Sequence, residues 1–254
     1  MRERRSPRRR TDHEQLARRL KAGRGGPQDE RRAHPHPGRR RPRRAGRPGH
    51  RLRLRPSDDW SRPRPAPSAV GSLGPGFVDP SAPPTPEGTV TPRPGSWDGV
   101  HPPRDYRVVL LSAGDDAPTR ALVAAVRSWA AAEHVDLRTV TAAGEADLVP
   151  AITRALDLHP DLVISAGDAL VDPLAVVTAN HLAQQFLVVG AELAEPTHNV
   201  TAADWSGASY RGEGLGASSN YDAASFTPQR CDAAIRAGAA AVLTGLTGIV
   251  VWLA

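Results

Sequence analysis

Residues 104–254 predict an α/β domain: a single Rossmann-like parallel sheet with helices on both faces. Three observations carry that prediction. Short, near-continuous apolar runs such as Tyr106-Arg-Val-Val-Leu-Leu111 and Gln185-Phe-Leu-Val-Val-Gly190 read as strands buried on both faces. Stretches with helical spacing of apolar residues alternate with them. Helix-starting residues recur at the junctions.

The first strand, over residues 106–111, ends in Ser112-Ala-Gly114. Asp115, Asp116 and Pro118 then start a helix whose apolar face carries Leu122, Val126 and Trp129. Residues 135–140 form a second strand. A helix opened by Asp147 puts Leu148, Ile152, Ala155 and Leu156 on one face and stops at His159-Pro160, because proline cannot continue it. Asp161-Leu-Val-Ile-Ser165 is the third strand, followed by Ala166-Gly167-Asp168. Asp172-Pro173 reads as N-cap and first turn of a helix running to about Ala183, with His181 packed near its apolar face. Residues 185–190 form a fourth strand, and a weaker fifth lies near residues 199–205. A glycine- and serine-rich loop over residues 206–226 precedes a last helix over 227–243 and a terminal strand over 248–253.

Charge divides the chain. Residues 1–64 carry 23 Arg and Lys against 7 acids, whereas the remainder carries 10 against 20. The basic isoelectric point therefore belongs to the N-terminal part, and the portion able to fold is acidic. Residues 1–67 are an Arg/Pro-rich tail with too few apolar side chains to offset the entropy of ordering, so a long disordered region is expected before the domain. Three readings of it stay open: an arm for nucleic acid, a tether to an anionic surface, or the translation of GC-rich DNA from a wrong start. Residues 68–103 form a Pro/Thr/Ser-rich spacer expected to run extended. No signal peptide is legible. The uncharged stretch over residues 237–254 is long enough for a membrane anchor, but Thr244-Gly-Leu-Thr-Gly248 at its centre favours helix, turn and strand.

Chemistry is sparse. The single cysteine, Cys231, excludes an internal disulfide framework and a cysteine-built zinc site, and reads as a buried structural thiol. No nucleophile elbow or paired-histidine zinc motif occurs, and Gly212-Glu-Gly-Leu-Gly216 lacks the lysine of a phosphate loop. Neither catalytic residues nor a metal or cofactor site is implied, so the expectation is a non-catalytic binding domain. The main signal is an internal echo. Ser112-Ala-Gly-Asp115 and Ser165-Ala-Gly-Asp168 each end a predicted strand and lead toward a helix. In open α/β sheets such ends share one rim, where ligands bind. Ser112, Gly114, Asp115, Asp116, Ser165, Gly167 and Asp168 are the candidate ligand contacts, and Glu192 after the fourth strand completes the rim. Carboxylates beside backbone donors suit the hydroxyls of a sugar or nucleoside better than a phosphate. The alternative is a pair of tight turns built from common turn residues.

The order of these motifs, with Pro160-Asp-Leu-Val-Ile-Ser-Ala-Gly167, Gln185-Phe-Leu-Val-Val-Gly190 and then Asn199-Val200, resembles the first lobe of the basic membrane protein family. These are ABC-transporter substrate-binding lipoproteins related to the nucleoside-binding PnrA proteins. The resemblance implies a periplasmic-binding-like fold, a small-molecule ligand, an ABC permease as partner and an extracytoplasmic, membrane-anchored location. Two lobes close over the ligand in that family, whereas this chain has room for one. If the Arg-rich tail is genuine, the implied place is cytoplasmic and nucleic acid becomes a partner. A degenerate receiver-like signalling domain is the other reading. Asp115 and Asp116 suit it, while Ser165 where a phosphoacceptor should stand, and the absence of any lysine after Lys21, oppose it.

Overall fold

Runs of Val, Leu and Ile form the strands, and the alternation of the chain between strand and helix makes them parallel. The computed structural model describes residues 60–61, 64–210 and 221–254. Three two-residue strands come first: β1 (Val70–Gly71), β2 (Thr89–Val90) and β3 (Val100–His101). The repeating part follows as β4 (Arg107–Ala113), α1 (Ala117–Ala132), β5 (Asp136–Ala142), α2 (Leu148–Leu156), β6 (Leu162–Ala166), α3 (Val171–Thr178), β7 (Gln185–Val189) and β8 (Ala191–Glu192). It closes with β9 (Val200–Trp205), β10 (Ser209–Tyr210), α4 (Pro228–Leu243) and β11 (Val250–Leu253). Seven strands make one parallel sheet in the order β2-β11-β9-β7-β6-β4-β5.

Helices cover both faces. On one side α1 and α4 pack over Leu110, Ile164, Leu187, Ala203 and Val251, and on the other α2 and α3 pack over Val109, Val163, Phe186 and Val188. Each fully buried aliphatic side chain contributes about 1.5–3 kcal/mol. Cys231 lies in the first layer, fully buried, and burial pushes its thiol up to about 11, as an unreactive core residue requires.

Several boundaries differ from the expectation. Asp172 does not cap α3: a 3-10 turn over Asp168–Leu170 runs straight into the helix, Leu170 takes the cap position, and Asp172 sits in the first turn. The helix also stops at Thr178, short of Ala183. Asn199 explains the stop, since its Nδ2 lies 3.2, 3.1 and 3.0 Å from the carbonyls of Thr178, His181 and Gln184. These carbonyls are satisfied without further helix. His181 is consequently exposed rather than packed. The fifth strand, β9, is not weak: all six of its residues are buried at the middle of one half of the sheet.

Residues 68–103 do not run as an extended spacer. β1 pairs antiparallel with β3, β2 joins the main sheet beside β11, and Phe77, Trp97 and Val100 enter the core. The fold reaches back into the expected tail as well. Trp60 is buried, its indole N–H donates to Asp136 at 2.6 Å, and the Arg138 guanidinium lies 4.2 Å from its ring centre. A few aromatics scattered through Pro-rich sequence bury enough area to hold it down. The disorder expected of residues 1–59 and 62–63 lies outside the described residues, as does Gly212-Glu-Gly-Leu-Gly216. Among the described residues no helix is long and apolar enough to cross a membrane, and residues 237–254 form the end of α4, a turn and β11.

Candidate functional site

The strand order reverses direction at β4: the chain passes from β4 outward to β5, then back across to β6 and on toward β11. Between β4 and β6 the two covering connections diverge, leaving a crevice outside the carboxyl ends of these strands. The Ser-Ala-Gly-Asp tetrapeptides end these two strands, with Ser112 in register with Ala166. They therefore share one rim.

The rim does not bring both serines together. Ser112 pairs in register with Ala166 of the α1/α4 face, and its hydroxyl lies 3.1 Å from that of Thr141 on β5. Ser165 pairs with Leu111 and Val188 and so points to the α2/α3 face. Both are buried. Gly167, at φ 115°, is required where it stands, because a Cβ there would lie 2.4 Å from the carbonyl oxygen of Ala113. The close approach of the two strand ends depends on it.

The four acids of the expectation take different places. Asp115 is exposed, and its backbone carbonyl accepts from Arg120. Asp116 is the N-cap of α1, accepting from the Thr119 N–H at 2.9 Å and the Thr119 hydroxyl at 2.8 Å. Partial desolvation works against its charge, but those hydrogen bonds prevail and hold the carboxyl below its ordinary range. Asp168 is half-buried at the start of the 3-10 turn after β6. Glu192, on β8, faces Asp204 near the end of β9.

Asp204 is a site residue that reading the sequence missed. It is fully buried, and one carboxylate oxygen accepts the Trp205 N–H at 2.9 Å. The other oxygen meets no donor. Its side-chain neighbour is the Glu192 carboxyl, an acceptor like itself unless one of the two carries a proton. Desolvation, then the negative charges of Glu192 and Asp168, push Asp204 up to about 8, and burial raises Glu192 as well. A charged residue inside the apolar run Val200-Thr-Ala-Ala-Asp-Trp205 was the available signal.

The second missed residue is Tyr221. It is half-exposed, 6.2 Å from the Phe226 ring, and close enough to Asp168 and Asp116 that their charges help raise its hydroxyl after desolvation. Phe226 in turn lies edge-on to Trp205 at 5.0 Å and covers Gly190 at the end of β7. Of these three rings only Tyr221 is exposed, since Phe226 and Trp205 belong to the core. On the α2/α3 side, a cavity of about 650 Å³ opens between Gly114, Ala142, Leu148, Ala169 and Pro173. A cleft of about 480 Å³ around His198 and Gly248 lies at the opposite, amino-terminal edge of the sheet and carries none of this chemistry. Among the described residues no group of three His, Cys, Asp or Glu is arranged to hold a metal ion.

No sequence-family profile and no curated protein matches the chain. Among solved structures it is similar to a solute-binding protein of an ABC transporter system from Aeropyrum pernix K1, at 19% identity over 40% of this chain, with a TM-score of 0.36. It is also similar to a fragment from Peptoclostridium difficile 630 assigned as a lipoprotein, at 15% identity, 56% of this chain and 99% of that one, with a TM-score of 0.40. A third is a transcriptional activator of the comK gene from Bacillus halodurans, at 17% identity over 39% of this chain, with a TM-score of 0.35. The chain covers 29% of the Aeropyrum protein and 35% of the Bacillus one.

Proposed function

We propose that this chain is a non-catalytic binding domain that takes a small polar solute at the carboxyl-end rim of its sheet. The observation that carries the reading is the placement of both Ser-Ala-Gly-Asp turns on β4 and β6, the two strands flanking the reversal of strand order. Gly114, Gly167, Asp168 and Glu192 supply backbone access and acceptors there. Asp115 and Ser165 lie at its edges, while Ser112 and Asp116 act by shaping the strand end and the helix start. Carboxylates beside backbone donors suit hydroxyl or amino groups better than a phosphate, so a nucleoside or sugar is the solute class. The Tyr221 ring adds a flat face for a base or a sugar ring to stack on. By its resemblance to the basic membrane protein family, an ABC permease is the partner and the cell envelope the place.

The test is a thermal-shift screen of the full chain against nucleosides and monosaccharides at millimolar concentration. A stabilised melt that Asp168→Asn weakens supports the reading. A flat screen overturns it and leaves a protein-contact domain.

A further inference from the structure

The strands covered by α2 and α3 step down in side-chain size at their carboxyl ends. β4 sends Val109, Leu111 and then Ala113 into that layer, and β5 sends Val140 and then Ala142. Side chains of matching volume are needed to close a core, so alanine at both strand ends leaves space above them. That space is the cavity of about 650 Å³, with Ala113 and Ala142 as its floor. Leu148 and Val149 at the start of α2 make one wall, and Ala169 and Pro173 around the start of α3 make the other. A Cβ on Gly144 would meet nothing within 4 Å, which marks the open mouth. Among the described residues, the charged side chains lining it are two acids, Glu145 and Asp172. A third acid, Asp147, held by Arg154, takes the cap position of α2. A phosphate or carboxylate is therefore disfavoured there despite the two helix starts. The volume is that of a small-molecule pocket rather than a protein-docking face.

We propose that this cavity receives an uncharged apolar ring of the solute, whose hydroxyl groups stay at the rim. This rests on the reading of the rim as a solute site and narrows its ligand class to amphiphiles, excluding unsubstituted monosaccharides. Gly114 lines the cavity directly after β4, and Ala169 of its wall follows Asp168 of the rim, so the two regions are continuous. Water held against the apolar walls is released as the ring enters, which supplies affinity without a charged partner. The small residues set the fit: a larger side chain at a lining position takes the place of the ring.

Titration calorimetry of the full chain with phenyl β-glucoside against methyl β-glucoside tests this, with benzyl alcohol as a probe of the cavity alone, followed by saturation-transfer NMR. The phenyl compound is expected to bind about tenfold more tightly than the methyl one. Ala169→Leu narrows the cavity from an exposed position and is expected to abolish that preference, as is Val149→Phe from the opposite wall. Unliganded melting temperatures check that both variants fold. Val176→Ser changes an exposed residue of α3 outside the lining and is expected to leave the preference intact. Equal binding of the two glucosides, or a preference that survives in both cavity variants, overturns the inference and leaves the rim as a solute site. If neither glucoside binds, benzyl alcohol decides. Binding that Ala169→Leu removes upholds the cavity as a site for an apolar ring, while the rim reading falls alone. No binding of any of the three probes overturns the cavity inference, and the nucleoside and monosaccharide screen then judges the rim by itself.

Discussion

Asp204 shows how one side chain can set a pH response. Its carboxyl titrates near 8 in the fold and in the ordinary aspartate range when unfolded. The folded state therefore binds more protons between those limits. The stability this contributes is fully present below the unfolded value and is lost as pH rises through the folded one. Unfolding free energy, followed by denaturant titration, is expected to fall between about pH 4 and pH 8, by no more than about 1.4 kcal/mol per pH unit for this group. In Asp204→Asn that slope is expected to shrink, the part due to burial of Glu192 remaining. Gly167 makes a second prediction at this scale. Gly167→Ala drives a methyl into the Ala113 carbonyl at a φ that disfavours any side chain, and a loss of about 2 kcal/mol or more is expected in the same measurement.

At the level of elements, helix starts were legible where a side chain caps them and illegible where the turn itself does so. Asp116 and Thr227 cap α1 and α4, each followed by proline in the first turn, and both starts were readable from residue type. Asp172-Pro173 offers the same text, yet a 3-10 turn precedes it and no side-chain cap bond forms. Asp116→Ala separates capping from ligand contact. A loss of about 1 kcal/mol in stability with solute affinity unchanged is expected of a cap, whereas an affinity loss would make Asp116 a contact. The short β2 is illegible for another reason: two residues carry no periodicity, and only the open edge of β11 makes them a strand.

At the scale of the whole molecule, the Pro-rich segment belongs to the fold, and truncation tests this directly. A chain reduced to residues 104–254 loses Trp60, Phe77, Trp97 and β2, exposing the core they cover. It is expected to unfold at markedly lower denaturant concentration, or without a cooperative transition, in circular dichroism. Phe77→Ala in the full chain should cost about 3–5 kcal/mol if that ring is core, as its burial to 1% exposure indicates. An unchanged midpoint in both would show residues 60–103 to be a loose appendage.

The sequence by itself determined the class of the fold, most of its order of strands and helices and the shared rim of the two Ser-Ala-Gly-Asp turns. Each of these follows from local pattern: apolar periodicity, breakers, and the rule that parallel strands place their carboxyl ends together. Only the tertiary structure decided that Ser112 and Ser165 face opposite sides, that Glu192 meets Asp204, and that Tyr221 stands over the same rim. Pairing register fixes the first, and long-range packing brings together residues separated by loops in the other two. Side-chain direction alternates along a strand, so a hydroxyl or carboxyl is placed by its strand's position in the sheet rather than by its neighbours in the chain.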